Sequence, residues 1–295
     1  MNFTELTIED KKIFDKYIKP YNFKTCEYSF TNLYIWRRAF HIQYTILSDG
    51  TLILMKRDDR GNYYFMEPIG YKDKNLSKVL DKLILYKKEN NMAYLFRDVE
   101  EPFIQKLKEM SDYEFSIEED RDSFDYIYES EKLISLSGKK LHSKKNHVNT
   151  FMRSYDFKLK KIDDNNAGDV MEMAKHWVKQ NFCVDYLYFE LKGVQDILNH
   201  IGKLDFDGMA IYIDNKVEAF TFGERVNDDM AIIHIEKANV DIDGLYAFIN
   251  NAFLKNYYYD VPFINREQDL GIDGLRKAKL SYQPYKLEKK FIVKI

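Results

Sequence analysis

Alternation of apolar and polar positions first becomes clear in HIQYTILSDGTLILMKR (41–57), where two alternating runs flank Asp49-Gly50. Such a pattern predicts a β-hairpin, because an Asp-Gly pair accepts the positive φ that a tight hairpin turn demands. A third strand, NYYFMEPI, follows. The next segment, LSKVLDKLILYKKEN, places Leu76, Val79, Leu80, Leu83 and Ile84 at helical spacing. A short apolar run, AYLFRDV, and a helix, EEPFIQKLKEM, end the series.

The second half repeats this order. GMAIYIDNKVEAFTFGERV predicts a hairpin turning at Asp214-Asn215, and DDMAIIHIEKA predicts the next strand. Then come a helix in DGLYAFINNAFLKNYY, a buried run in VPFINREQD and a helix around GIDGLRKAKL. The two turns lie 165 positions apart, and Arg97 and Arg266, which follow the buried runs, lie 169 apart. A spacing held across five elements points to a tandem duplication. The order hairpin, strand, helix, strand, helix predicts a mixed α/β fold, with mostly antiparallel sheets flanked by helices. Thr7-Ile8-Glu9-Asp10 forms a capping-box pattern before an added N-terminal helix. Residues 112–131 contain strand-like Phe124, Tyr126 and Tyr128, which are expected to close the first unit. The division is therefore set at 1–130 and 131–295.

Length agrees with two units, at about 100–200 residues per domain. The 45% hydrophobic and 32% charged content of the 295 residues excludes a disordered chain. No apolar run is long enough to span a bilayer, and MNFTELTIEDKK carries acids where a signal peptide is apolar. Two cysteines, Cys26 and Cys183, cannot build a disulfide framework, so a cytoplasmic protein is expected. Cys183 lies seven positions from His176, and nothing marks an activated thiol.

The net charge of −3 conceals an asymmetry. Residues 112–131 hold nine acids and one base, whereas residues 139–161 hold eight bases and one acid. Lys140, Lys144 and His147 share a helical face, with Lys139 and Lys145 beside them, as a phosphate-binding surface or a solvated lysine helix would. No acid or cysteine stands at ligand spacing from His142 or His147, so no metal site is expected. His234 and Glu236 alternate with apolar residues on one strand face. Glu236 there is either an acid–base candidate or a structural ion-pair partner. Asn265-Arg266-Glu267-Gln268-Asp269 follows a buried strand, where α/β sheets tend to bind ligands. Arg266 suits an oxyanion or a carboxylate, and Asp269 suits a helix cap. Arg276 and Lys277 add positive charge on the following helix.

SGKKLHSKKNHVNTF, HIEKA, FINREQDLGIDGLRKAKLSYQP and NLYIWRRAF together resemble the family of the phosphatidylglycerol lysyltransferase C-terminal domain, over essentially the whole chain. The resemblance implies a tandem fold like that of the Gcn5-related N-acetyltransferases (GNAT), akin to the Fem peptidyltransferases. It also implies transfer of an aminoacyl group from aminoacyl-tRNA to an amine or hydroxyl, such as a lipid head group, with tRNA as a partner. The membrane-embedded region of the lipid-modifying members is not present in this sequence, so a bilayer substrate would be met peripherally. In the GNAT pattern a tyrosine near the last helix protonates a leaving group, which makes Tyr282 a candidate acid. The glycine-rich phosphate loop of that pattern is reduced here to Asn239-Val240-Asp241-Ile242-Asp243-Gly244, whose aspartates repel a pyrophosphate. Acyl-CoA is therefore the less favoured donor, and no tightly bound cofactor is expected. The active cleft is expected in the second unit. FRDV stands where the second half has INREQD, so the first unit is expected to have lost most polar positions and to be structural or substrate-shaping.

Overall fold

The computed structural model describes residues 1–110, 112–180 and 185–295. The elements run β1 (Thr4–Glu5), α1 (Lys11–Ile18), α2 (Phe30–Trp36), β2 (Gln43–Ile46), β3 (Leu52–Arg57), β4 (Tyr63–Phe65), α3 (Leu76–Glu89), β5 (Phe96–Val99), α4 (Glu101–Met110) and β6 (Ser116–Glu119). They continue as β7 (Asp125–Glu129), α5 (Ser130–Ser135), α6 (His142–Ser154), β8 (Phe157–Lys161), α7 (Ala167–Gln180), α8 (Asp185–Asn199), β9 (Asp207–Ile213), β10 (Lys216–Arg225), β11 (Met230–Ala238), α9 (Leu245–Tyr257), β12 (Phe263–Asn265), α10 (Asp273–Leu280), β13 (Lys286–Glu288) and β14 (Phe291–Lys294). Among the described residues, no helix is long and apolar enough to cross a membrane.

Both expected hairpins form. Gly50 has φ +89°, and Asp49 accepts from the backbone N–H and the hydroxyl of Thr51. Asp214 and Asn215 both take positive φ, as a two-residue turn requires. At the N-terminus the Asp10 carboxylate accepts the Thr7 N–H at 2.8 Å, which completes the capping contact.

The strands form two seven-stranded sheets. The first has the order β1-β2-β3-β4-β5-β14-β6 and the second β13-β7-β12-β11-β10-β9-β8. Antiparallel pairing dominates, while β4 with β5 and β11 with β12 are parallel. The two compact units are residues 1–124 with 288–295, and residues 125–287. This differs from a division at residue 130. β7 does not close the first sheet: it pairs with β12 of the second, and β14 instead fills the matching slot between β5 and β6. The last strand of each repeat thus completes the other repeat's sheet. Alternation in Tyr126 and Tyr128 predicts a strand but not its partner.

The first unit packs Leu76, Val79, Leu80 and Leu83 of α3 with Phe103, Ile104 and Leu107 of α4 onto Ile53, Phe65 and Phe96. Contrary to the expectation of few polar positions, it also carries a dense buried ionic network. Lys56 pairs with Asp98 at 2.5 Å, and Tyr64 donates to the same carboxylate at 2.9 Å. Arg97 reaches Asp120 at 2.7 Å and Asp58 at 3.4 Å. Lys290, fully buried, pairs with Glu27. The polar residues come from β3, β4 and the residue just before β14 as well as from FRDV, so that one short segment carries only part of them.

In the second unit, Leu245, Phe248, Ile249, Ala252 and Phe253 of α9 pack against Val148 and Phe151 of α6 and the core strands. The single glycine of the degenerate loop has a packing role. Gly244 has φ +79°, and a Cβ there would lie 2.2 Å from the His147 carbonyl oxygen of α6. The start of α9 is therefore pressed directly against α6, which only glycine permits.

Candidate active site

The site is built where β11 and β12 part. These parallel strands share only the pairs Met230–Phe263, Ala231–Ile264 and Ile232–Asn265, after which β11 runs on to Ala238. Beyond the last of these pairs the two segments are joined by side chains rather than by backbone hydrogen bonds. Arg266 donates to Glu236 at 3.1 Å, and Nδ1 of His234 lies 2.9 Å from the Glu267 carboxylate.

A bulge sets His234 apart from its neighbours. Phe222 pairs with Ile235 and Gly223 with Ile233, which leaves His234 as the extra residue. Gly223 is needed opposite, since a Cβ there would lie 2.6 Å from the Ile232 carbonyl. The imidazole is fully buried between Glu267 and Glu224, whose carboxylate is 3.4 Å from Nε2. Burial alone would push its pKa down. The hydrogen bonds and charges of the two glutamates outweigh burial and raise it to about 9. Glu267 holds this position in a left-handed backbone, φ 56°, with its N–H on Asn265 Oδ1 at 2.7 Å.

Glu236 is occupied on both oxygens, by Arg266 and by Asn250 of α9 at 3.0 Å. The Arg266 guanidinium lies 4.8 Å from the centre of the Tyr282 ring and 5.8 Å from that of Tyr128. Burial works against its charge, but Glu236, Tyr128 and Tyr282 restore it and raise its pKa. Its Nη1 is buried and, among the described residues, has no hydrogen-bond partner. The Tyr282 hydroxyl is also raised, by burial first and by Glu236, against the pull of Arg266. It therefore stays protonated at neutral pH.

The basic helix divides by position. Lys144 is half-buried, with its ammonium 4.4 Å from the centre of the Tyr282 ring. Lys139, Lys140, Lys145 and His147 are exposed, so a shared helical face does not bring Lys140 and His147 to the same place. The downstream lysines belong elsewhere: Lys158, Lys160 and Lys161 lie along β8, the edge of the second sheet, where charge blocks further strand pairing.

Several other candidates serve the loop itself. Asn265 is fully buried and donates to Asp125 at 2.7 Å. Asp269 accepts from Tyr126, from Gly271 N–H and from both Nε and an Nη of Arg276. These hydrogen bonds overcome burial and hold the carboxylate well below the usual range. Asp269 does not cap α10 directly, because the N-cap residue is Ile272. Arg276 is committed to Asp269, and Lys277 is exposed. Cys183 lies outside the described residues.

The sequence pattern gives no individual role to Glu267, which it places only within the polar loop, or to Lys279 on the next helix, and does not single out Glu224, Asn250 or Lys237. Lys279 is buried and donates to the carbonyls of Arg266 and Glu267, fixing their turn. Lys237 pairs with Glu190 of α8 at 2.8 Å and lies 4.1 Å over the Trp177 ring. The available signal was Asn250-Asn251 inside the apolar helix LYAFINNAFL. Buried amides in such a place must be hydrogen-bonded, here to Glu236 and to the Leu133 carbonyl.

Two repeats of a mixed sheet, each with one parallel strand pair, define a tandem GNAT-like fold of the acyltransferase kind. The chain belongs to the family described as phosphatidylglycerol lysyltransferase, C-terminal, whose model matches residues 18–294. A crystal structure of a conserved protein of unknown function from Bacteroides thetaiotaomicron is 31% identical, covers 99% of both chains and superposes with a TM-score of 0.89. The structure of L-PGS from Bacillus licheniformis is 12% identical, over 98% of this chain and 92% of that one, at 0.65. FemX is 12% identical, over 99% and 97%, at 0.60. The last two likenesses are of fold. An uncharacterised protein of Mycoplasmoides gallisepticum is 28% identical over 178 residues, 59% of this chain, and the matched region is 56% of that protein's length.

Proposed function

We propose that this protein transfers an aminoacyl group from aminoacyl-tRNA to an amine or hydroxyl acceptor, a lipid head group or a small molecule. The observation that carries the reading is the contiguous set Glu236, Arg266, Tyr282 and Lys144, which links the parting strands to the basic helix in the unit that retains the polar loop. Attack of the acceptor on the ester carbonyl forms the new C–N or C–O bond and a tetrahedral oxyanion. Arg266 stabilises that charge. Collapse breaks the ester C–O bond, and the tRNA hydroxyl leaves with a proton from Tyr282. The acceptor's own proton then returns to Tyr282, so the step balances. Glu236, held by two donors, positions Arg266 rather than abstracting a proton.

The close seating of Gly244 on α6 supports tRNA over acyl-CoA as donor. The residue that would cradle a pyrophosphate is used for helix packing, and Asp241 and Asp243 are exposed beside it. The test is binding of bulk tRNA at several salt concentrations, followed by transfer from charged tRNA. Micromolar binding that weakens steeply with salt, and transfer lost in Arg266→Ala, is the expected result. Absence of tRNA binding at low salt, or full transfer by a folded Arg266→Ala protein, overturns the reading.

A further inference from the structure

The Tyr282 ring carries two cations, Lys144 at 4.4 Å and Arg266 at 4.8 Å from its centre. Like charges brought to one buried ring repel each other, and burial together with Arg266 lowers the pKa of Lys144. Arg266 has one carboxylate, Glu236. Among the described residues none pairs with Lys144. One positive charge is thus left without a counter-charge, and a buried guanidinium N–H has no acceptor. Two other partly buried cations of the same unit are matched by acids, Lys237 by Glu190 and Arg276 by Asp269. Lys144 is also the lysine of α6 that turns inward, while Lys145, Asn146 and His147 face solvent.

From this arrangement we infer that Lys144, Tyr282 and Arg266 form a binding site for a phosphate group. A phosphate supplies the missing charge, and its tetrahedral oxygens can accept from an ammonium, a phenol and a guanidinium at once, which a planar carboxylate does less completely. The ligand chemistry is common to a polynucleotide phosphate and to the phosphate of a small or lipid acceptor. The inference rests on the acyl-transfer reading only in assigning that phosphate to a substrate.

The experiment titrates the full-length protein with inorganic phosphate at constant ionic strength, following melting temperature and calorimetric heat, with acetate as control. Phosphate is expected to raise the melting temperature where acetate does not. Lys144→Met should weaken phosphate binding about tenfold, and Tyr282→Phe about threefold, since it keeps the ring and loses one hydrogen bond. A Lys158→Met/Lys160→Met protein, which removes more charge from β8, should bind as the parent does. Equal responses to phosphate and acetate, or undiminished binding by Lys144→Met, overturn the site. Bulk tRNA that displaces phosphate places a polynucleotide phosphate there. Glycerol phosphate that displaces it while tRNA does not gives the site to the acceptor. If tRNA binds and phosphate does not, this inference fails while the tRNA-donor reading stands.

Discussion

Asp98 and Glu267 occupy matching places in the two repeats, 169 positions apart, and both adopt the same left-handed backbone, φ 57° and φ 56°. Each follows an arginine at the end of a parallel strand. In the first unit the surrounding charges cancel: Asp98 meets Lys56, and Arg97 meets Asp58 and Asp120. In the second, Glu267 meets an imidazole and Arg266 takes the carboxylate of Glu236, while Lys144, stacked on the same tyrosine as Arg266, has no acid among the described residues. The same strained turn has thus been closed into an ionic core in one copy and left with surplus positive charge in the other. Backbone geometry alone does not make a site; the difference lies in which acids reach the arginine.

That contrast can be broken experimentally, beginning with the closed copy. Burial works against the Asp98 carboxylate, but Lys56, Arg97 and Lys290 overcome it and hold its pKa at about 2. Its contribution is therefore complete above the unfolded value near 3.9 and is lost as pH falls through 2. Asp98→Asn leaves Lys56 buried without an acid and should cost about 3–5 kcal/mol in denaturant unfolding. The open copy should respond in rate instead. Arg266→Ala is expected to lower transfer about a hundredfold with the circular dichroism spectrum intact, whereas Arg97→Ala should lower stability and leave the rate of the folded protein within about twofold.

His234 supplies a test of opposite pH sense. Its folded pKa of about 9 exceeds the unfolded value of 6.5, so its stabilisation is complete below 6.5 and declines as pH rises through 9. His234→Gln should flatten the wild-type loss of stability across that window, a difference of about 3 kcal/mol. An effect of similar size is expected at Glu67, which burial first and the neighbouring Glu100 push up to about 8. The folded protein must keep this acid protonated at neutral pH, so Glu67→Gln should stabilise by about 3 kcal/mol at pH 7, and not at pH 4. Equal melting temperatures at both pH values would contradict that assignment.

Local order was legible where local chemistry decides it. Asp49-Gly50 and Asp214-Asn215 announce their turns, and the periodic apolar faces of α3 and α9 announce their helices. Long-range choices were not legible. Nothing in the Phe124–Tyr128 alternation says that β7 pairs with β12 rather than β6. The bulge at His234 depends on Gly223 eleven positions earlier, and it directs the imidazole to two glutamates instead of the neighbourhood of Glu236. The candidate trio of Glu236, Arg266 and Tyr282 is brought together, whereas the lysines separate because only Lys144 meets the aromatic ring.

The exchange of β7 and β14 bears on how the chain is made. The first sheet has a vacant lane between β5 and β6 until residues 291–294 emerge, so ribosomal order cannot finish the repeats one after the other. During synthesis the leading half must wait with an unpaired strand edge, from residue 119 to residue 291, for its final segment. A premature stop that spares every residue of the candidate site would still deprive the first sheet of an interior strand, and the nascent protein is most exposed to mispairing in just that interval.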